Sequence, residues 1–133
     1  MKVVLDTNVV VSGIFFGGAP GRILGAWRQG RLMLAISPEI IDEYFRVAEI
    51  LAERYPGVDI EPLLSLLVQG GEVVRAPGLP QPVCDDPDDD KFVSCALESG
   101  ADIIISGDKK LLVVSGYQGV TVMTPRRFVD SHL

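Results

Sequence analysis

Carboxylates dominate the residues of this 133-residue chain that could do chemistry. Asp6 closes a wholly apolar run, Val3-Val4-Leu5, and is followed by Thr7 and Asn8. Asp108 follows a second such run, Ile103-Ile104-Ile105, after Ser106 and Gly107. Between them, Asp85-Asp86-Pro87-Asp88-Asp89-Asp90 places five carboxylates in six positions, and Glu43 stands apart within a long amphipathic segment. Two unit charges about 4 Å apart repel by about 4 kcal/mol at an effective dielectric of 20. Four acids in one place are therefore costly unless protonated or neutralised. Oxygen-only ligation, with no nearby His or Cys, suits Mg²⁺ or Mn²⁺ and disfavours zinc. A cation so held can orient a phosphodiester, help deprotonate water and stabilise the leaving oxygen. Phosphodiester hydrolysis is the chemistry these residue types point to.

The elements that must position these acids follow from the apolar pattern. Val3 to Leu5 and Ile103 to Ile105 are too short for helices and too uniformly apolar for strands with one wet face, so both read as strands buried on both sides. In open parallel sheets the functional groups sit beyond the carboxyl ends of the strands, which would put Asp6 and Asp108 on one rim. Gly17 to Gly21 reads as a breaker loop, Arg22 to Arg28 as a short helix ended by Gly30, and Leu32 to Ile36 as a strand. Ser37-Pro38 is an N-cap followed by proline at the first helical position. The helix it opens runs to about Arg54, with Ile40, Ile41, Tyr44, Val47, Ala48 and Leu51 as its buried stripe. Glu43 falls on the shoulder of that stripe, away from Asp42, Arg46, Glu49 and Glu53, so it needs a partner.

Further along, Ile60 to Val68 reads as a helix, Glu72 to Arg75 as a short strand, and Ala76 to Pro82 as a proline-rich loop without evident chemistry. One of Asp88 to Asp90 is expected to cap the helix that carries Phe92, Val93, Ala96 and Leu97. Lys109 to Val113 is a helical turn or two. Val120 to Met123 is the last strand, and Thr124-Pro125 opens a terminal helix. Alternating strands and helices predict an α/β fold, a three-layer α/β/α sandwich around a mostly parallel sheet of four or five strands, with residues 1–133 as one domain.

Composition narrows the classes. With 47% hydrophobic and 23% charged residues, and no apolar run near the roughly 20 residues needed to span a bilayer, a membrane protein is not expected. The chain enters its first strand directly, so it is expected to begin at Met1 and to reside in the cytoplasm. Cys84 and Cys95 match neither a metal pattern nor a disulfide framework and are expected to be packing thiols. A formal charge of −6 argues against gripping nucleic acid by bulk positive potential, although cations bound in an acidic site would reverse the local sign. Trp27 and Tyr44 have core spacing, His132 is expected to be idle, and Lys109 is the candidate phosphate contact.

At these residues the chain resembles the PIN domain family. Asp6-Thr7-Asn8, Glu43, Asp86-Pro87-Asp88-Asp89-Asp90-Lys91-Phe92 and Ser106-Gly107-Asp108 with Leu111-Leu112 carry the resemblance, which runs over nearly the whole chain. It implies a metal-dependent ribonuclease that cleaves single-stranded RNA with Mg²⁺ or Mn²⁺, often the toxin of a type II toxin-antitoxin pair. Carried over by position, Asp6, Glu43, Asp89 and Asp108 are the acidic ligands, with Asn8 and Ser12 as polar support. The acidic run offers spare carboxylates, so Asp86 or Asp90 can share or replace the role of Asp89. An antitoxin protein and a homodimer are the partners this resemblance implies.

Two other classes compete. A phosphatase of the haloacid dehalogenase type would use Asp6 as nucleophile and require an acid two residues on, where this chain has Asn8. A non-catalytic binding module would use the acids only to hold a basic partner segment.

Overall fold

Val3, Val4 and Leu5 are each at most 1% exposed. Successive strand side chains point to opposite faces, so burying all three requires cover on both sides of the sheet. The computed structural model, which describes residues 1–133, supplies that cover with seven helices around five strands. Strand β1 (Lys2–Leu5) leads into helices α1 (Thr7–Phe15) and α2 (Gly18–Arg28), then β2 (Met33–Ile36), α3 (Pro38–Arg54), α4 (Glu61–Gly70) and β3 (Glu72–Val73). A 3-10 turn (Pro87–Asp89) runs into α5 (Asp90–Ser99), followed by β4 (Ile103–Ile105) and α6 (Lys109–Leu112). A second 3-10 turn (Tyr117–Gly119), β5 (Thr121–Met123) and α7 (Pro125–His132) complete the chain.

All strand pairs are parallel, in the order β3-β2-β1-β4-β5. The chain moves outward from β1 through β2 to β3, then returns to the other side of β1 for β4 and β5. That reversal lies between β1 and β4, and such a switch point opens a crevice at the carboxyl ends of the two strands. The register Val3 to Ile103, Val4 to Ile104 and Leu5 to Ile105 carries on so that Asp6 emerges beside Ser106. The Asp6 amide donates to the Ile105 carbonyl at 3.0 Å.

The long helix α3 forms where its signals stand. Ser37 is the N-cap, its hydroxyl accepting from the Ile40 amide at 3.4 Å, and Pro38 follows at the first helical position. Ile40, Tyr44 and Ala48 are buried along its inner stripe. Two local expectations are corrected. The segment from Gly17 to Gly21 is not a loop throughout, because α2 begins at Gly18; Pro20 lies in its first turn, where no intrahelical donor is needed. A close helix contact then fixes the corner: a Cβ on Gly13 would lie 2.6 Å from Leu24 Cδ1 and 3.0 Å from the Pro20 carbonyl. The capping expectation also shifts, because Asp86 caps the 3-10 turn by accepting from the Asp88 amide at 3.0 Å. Asp89 is the N-cap of α5 without a side-chain cap bond.

One cluster of 33 buried apolar residues runs through the sheet and its helices, with Phe92 and Phe128 its largest fully buried members. Cys84 and Cys95 are buried thiols, in line with a packing role. The proline-rich loop before α5 is tied down from the helix. The Ser94 hydroxyl donates to the Pro77 carbonyl, and Asp90 accepts from the Val83 and Cys84 amides at 3.3 and 2.8 Å.

Candidate active site

Asp6 leaves the end of β1 only 5% exposed. Burial raises its pKa; hydrogen bonds from the Ser106 hydroxyl and the Thr7 backbone oppose that rise, and the charges of Glu43 and Asp108 add to it. Ser106 is the hub between the two strand ends. Its hydroxyl donates to Asp6 Oδ2 at 2.6 Å and accepts from the Asp108 amide at 2.9 Å. Asp108 caps α6, accepting from the Lys110 amide at 2.9 Å.

Glu43 reaches the same rim from the second turn of α3. The Tyr44 hydroxyl donates to the Leu5 carbonyl at 2.5 Å, which locks this helix to the residue preceding Asp6. Both Glu43 oxygens are engaged: Thr7 donates to Oε2, and Lys91 Nζ lies 2.5 Å from Oε1. Arg46 Nη2 is a more distant neighbour of Oε1 at 3.7 Å. The partner that the stripe position of Glu43 demanded is therefore a lysine 48 residues away, together with a threonine next to Asp6.

Asp89 has a different environment. Its Oδ2 is buried without a hydrogen-bond partner. Burial, then the charges of Asp6, Asp108, Asp86 and Glu43, push its carboxyl up to about 6. The four sequence-selected acids thus act on one another electrostatically. They do not converge on a single point in this arrangement, because no three carboxylates stand close enough to share one ion. The donor set is all oxygen, one buried carboxylate oxygen is unpaired, and the neighbouring acids push Asp6 and Asp89 upward; by residue type this set suits a hard divalent cation.

The remaining sequence-selected residues are arranged less centrally. Asn8 is exposed on the first turn of α1, and Ser12 lies half-buried more than a turn further along. The Asp86 carboxylate is engaged by the Asp88 amide, and Asp90 turns back to the loop before α5. Lys109 is exposed beside Asp108. His132 is exposed and stacks on Phe128 with ring centroids 4.9 Å apart. Tyr44 is buried, as its spacing predicts. Sequence reasoning did not single out Thr7, Ser106 or Lys91. Ser106 had a signal, because it follows β4 at the same offset at which Asp6 follows β1.

The raised pKa of Asp89 has a consequence for stability. Its carboxyl takes up a proton near pH 6 in the folded chain and near 4 in the unfolded one, so between these values the folded state binds the proton more tightly. The stabilisation from this proton is present below about pH 4 and is lost as pH rises through about 6. In EDTA, Asp89→Asn is expected to raise the melting temperature by a few degrees at pH 7.5 and by clearly less at pH 5. An equal offset at both pH values in differential scanning fluorimetry would count against the acid cluster.

An all-parallel five-stranded sheet with seven helices, carrying Asp6 just beyond β1 and Asp108 shortly after β4, makes this molecule an α/β protein. The chain belongs to the PIN domain family, whose model matches residues 2–110. It is similar to the uncharacterized protein MJ1680 of Methanocaldococcus jannaschii, 33% identical over 141 residues, with 98% of this chain and 90% of the relative covered. It is also similar to the crystal structure of PAE2754 from Pyrobaculum aerophilum, with a TM-score of 0.58 at 13% identity, covering 98% of this chain and 88% of that one. At that identity the likeness is one of fold. PIN domains are in general metal-dependent nucleases.

Proposed function

We propose that this chain is a Mg²⁺- or Mn²⁺-dependent endoribonuclease that hydrolyses single-stranded RNA in the cytoplasm, as the toxin of a type II toxin-antitoxin pair. The observation that carries the reading is Asp89, half-buried, with one carboxylate oxygen buried and unpartnered in the field of Asp6, Asp108 and Glu43. A cation held by Asp6, Glu43, Asp89 and Asp108 would activate water and neutralise charge on the phosphate being attacked.

The chain's own residues do the positioning. Ser106 joins Asp6 to the backbone of Asp108, and Thr7 and Tyr44 tie α3, with Glu43, to the end of β1. Lys109, exposed next to Asp108, would be the contact for a substrate phosphate. Single-stranded RNA, an antitoxin protein and a homodimer are inferred from family membership.

The test is incubation of a mixed-sequence single-stranded RNA with purified protein in Mn²⁺ and in EDTA, with duplex RNA and single-stranded DNA alongside. Cutting of the single-stranded RNA in Mn²⁺ only, and much faster than of either comparator, is the expected result. No cutting in Mn²⁺, or undiminished cutting in EDTA, sinks the nuclease reading.

A further inference from the structure

Lys91 is the one basic side chain built into the acidic rim. It occupies the second position of α5, where the helix dipole presents partial positive charge and a lysine is unfavourable. Its side chain is only 16% exposed, and its ammonium lies 5.7 Å from the centroid of the Phe92 ring. Burial works against the charge, yet the contacts with Glu43 and Asp88 outweigh it and keep the ammonium protonated. A residue that sits against both its helix dipole and its solvation is held there by something specific.

That something is Glu43. Lys91 Nζ is 2.5 Å from Glu43 Oε1 and 3.2 Å from Asp88 Oδ1, while Thr7 holds Glu43 Oε2. Each Glu43 oxygen keeps a lone pair that a cation could use, so what separates the two close partners is charge. The threonine hydroxyl can rotate away and leaves no charge behind. The ammonium cannot do so, and a divalent cation on Glu43 would share the carboxylate with a full positive charge in a partly desolvated place. Asp88 offers a landing site, because Lys91 already touches it and its carboxylate is mostly exposed, with a pKa lowered chiefly by its hydrogen bond from Lys91. Arg46 also faces Glu43 Oε1, but at 3.7 Å and with 64% of its side chain exposed, where solvent and salt screen it.

We infer that Lys91 is the internal counter-ion of the acidic rim: it holds Glu43 in the absence of a divalent cation, and a cation binds by displacing it towards Asp88. This inference rests on the proposed metal-dependent reading of the same residues. It makes Lys91 a positioning residue that lowers cation affinity. A residue kept merely to brace the rim would raise affinity instead.

The experiment is calorimetric titration of EDTA-stripped protein with Mn²⁺, using the wild type, Lys91→Met, Lys91→Arg, Arg46→Met and Asp6→Asn, together with melting temperatures before and after metal. Lys91→Met is expected to bind Mn²⁺ about tenfold tighter or more, while melting lower than wild type in EDTA. Lys91→Arg keeps the charge and is expected to stay within about threefold of wild type, as is Arg46→Met because its charge is screened. Damage to the fold can only weaken binding, so a gain isolates the charge effect. Should Lys91→Met fail to fold, Lys91→Gln removes the same charge while keeping a hydrogen-bond donor for Glu43. Binding by the lysine variant that is equal to or weaker than wild type overturns the counter-ion inference alone, provided Asp6→Asn has lost affinity. If no variant binds Mn²⁺, or Asp6→Asn binds as well as wild type, the metal reading falls and the inference falls with it.

Discussion

Asp6→Asn is expected to lower cleavage of single-stranded RNA by about 10³-fold, the scale on which loss of one centrally placed charged group in a catalytic centre acts. The substitution keeps the shape of the side chain and an oxygen that can accept from the Ser106 hydroxyl, so the link between β1 and β4 survives. It removes the charge that the rim would use on a cation. Because burial already raises the pKa of Asp6, and Glu43 and Asp108 raise it further, the neutral amide should melt no lower than wild type in EDTA. The two readouts are expected to separate, with activity lost and stability kept. Retention of activity within about tenfold would remove Asp6 from the chemistry, whatever the metal does.

Phe92→Ala is expected to carry the largest cost in stability, about 3–5 kcal/mol by urea denaturation, as for other fully buried aromatic truncations. Phe92 is 0% exposed and belongs to the principal core cluster. It also sits on the first turn of α5, next to Lys91 and three residues after Asp89. A cavity there loosens the helix start that presents the acidic run, so cation binding should weaken in the same variant. Millimolar Mn²⁺ is expected to recover part of the lost stability, since a ligand that binds only the folded state adds RT ln(1 + [L]/Kd). A loss below about 1.5 kcal/mol would mean that the site collapses around the truncated side chain and that the core is less tightly packed here than its burial indicates.

The strands that deliver Asp6 and Asp108 were legible because a strand buried on both faces needs an unbroken apolar run, and few other elements have one. Helix α3 was legible from Ser37-Pro38 and its stripe, and the misfit of Glu43 on that stripe already called for a partner. The partner itself was not legible. Thr7 and Lys91 meet Glu43 across 36 and 48 residues, and Ser106 meets Asp6 across 100, so these contacts follow from strand register and helix packing that no local window contains. The start of α2 was misplaced for a local reason. Gly17 and Gly18 do take the positive φ of a breaker pair, but α2 opens directly on them, with Pro20 in its first turn where a missing donor costs nothing. In the acidic run, composition alone could not say which carboxylate caps and which stays free. The structure divides the labour: Asp86 caps, Asp90 ties the preceding loop, and Asp89 is left with an unpaired oxygen.

The position of β4 between β1 and β5 also orders events in time. A growing chain can form β1, β2, β3 and the helix bearing Glu43 while β4 is still unsynthesised, but Asp6 then has neither Ser106 nor Asp108 beside it. Translation proceeds at about 5–20 residues per second, so this half-built stage lasts for seconds, with one flank of β1 unpaired. The acidic rim is completed only once β4 has emerged and docked. Asp6 therefore waits on a segment a hundred residues downstream for the hydroxyl and the second acid that flank it, and truncation before Ser106 is expected to leave β1 without this neighbour.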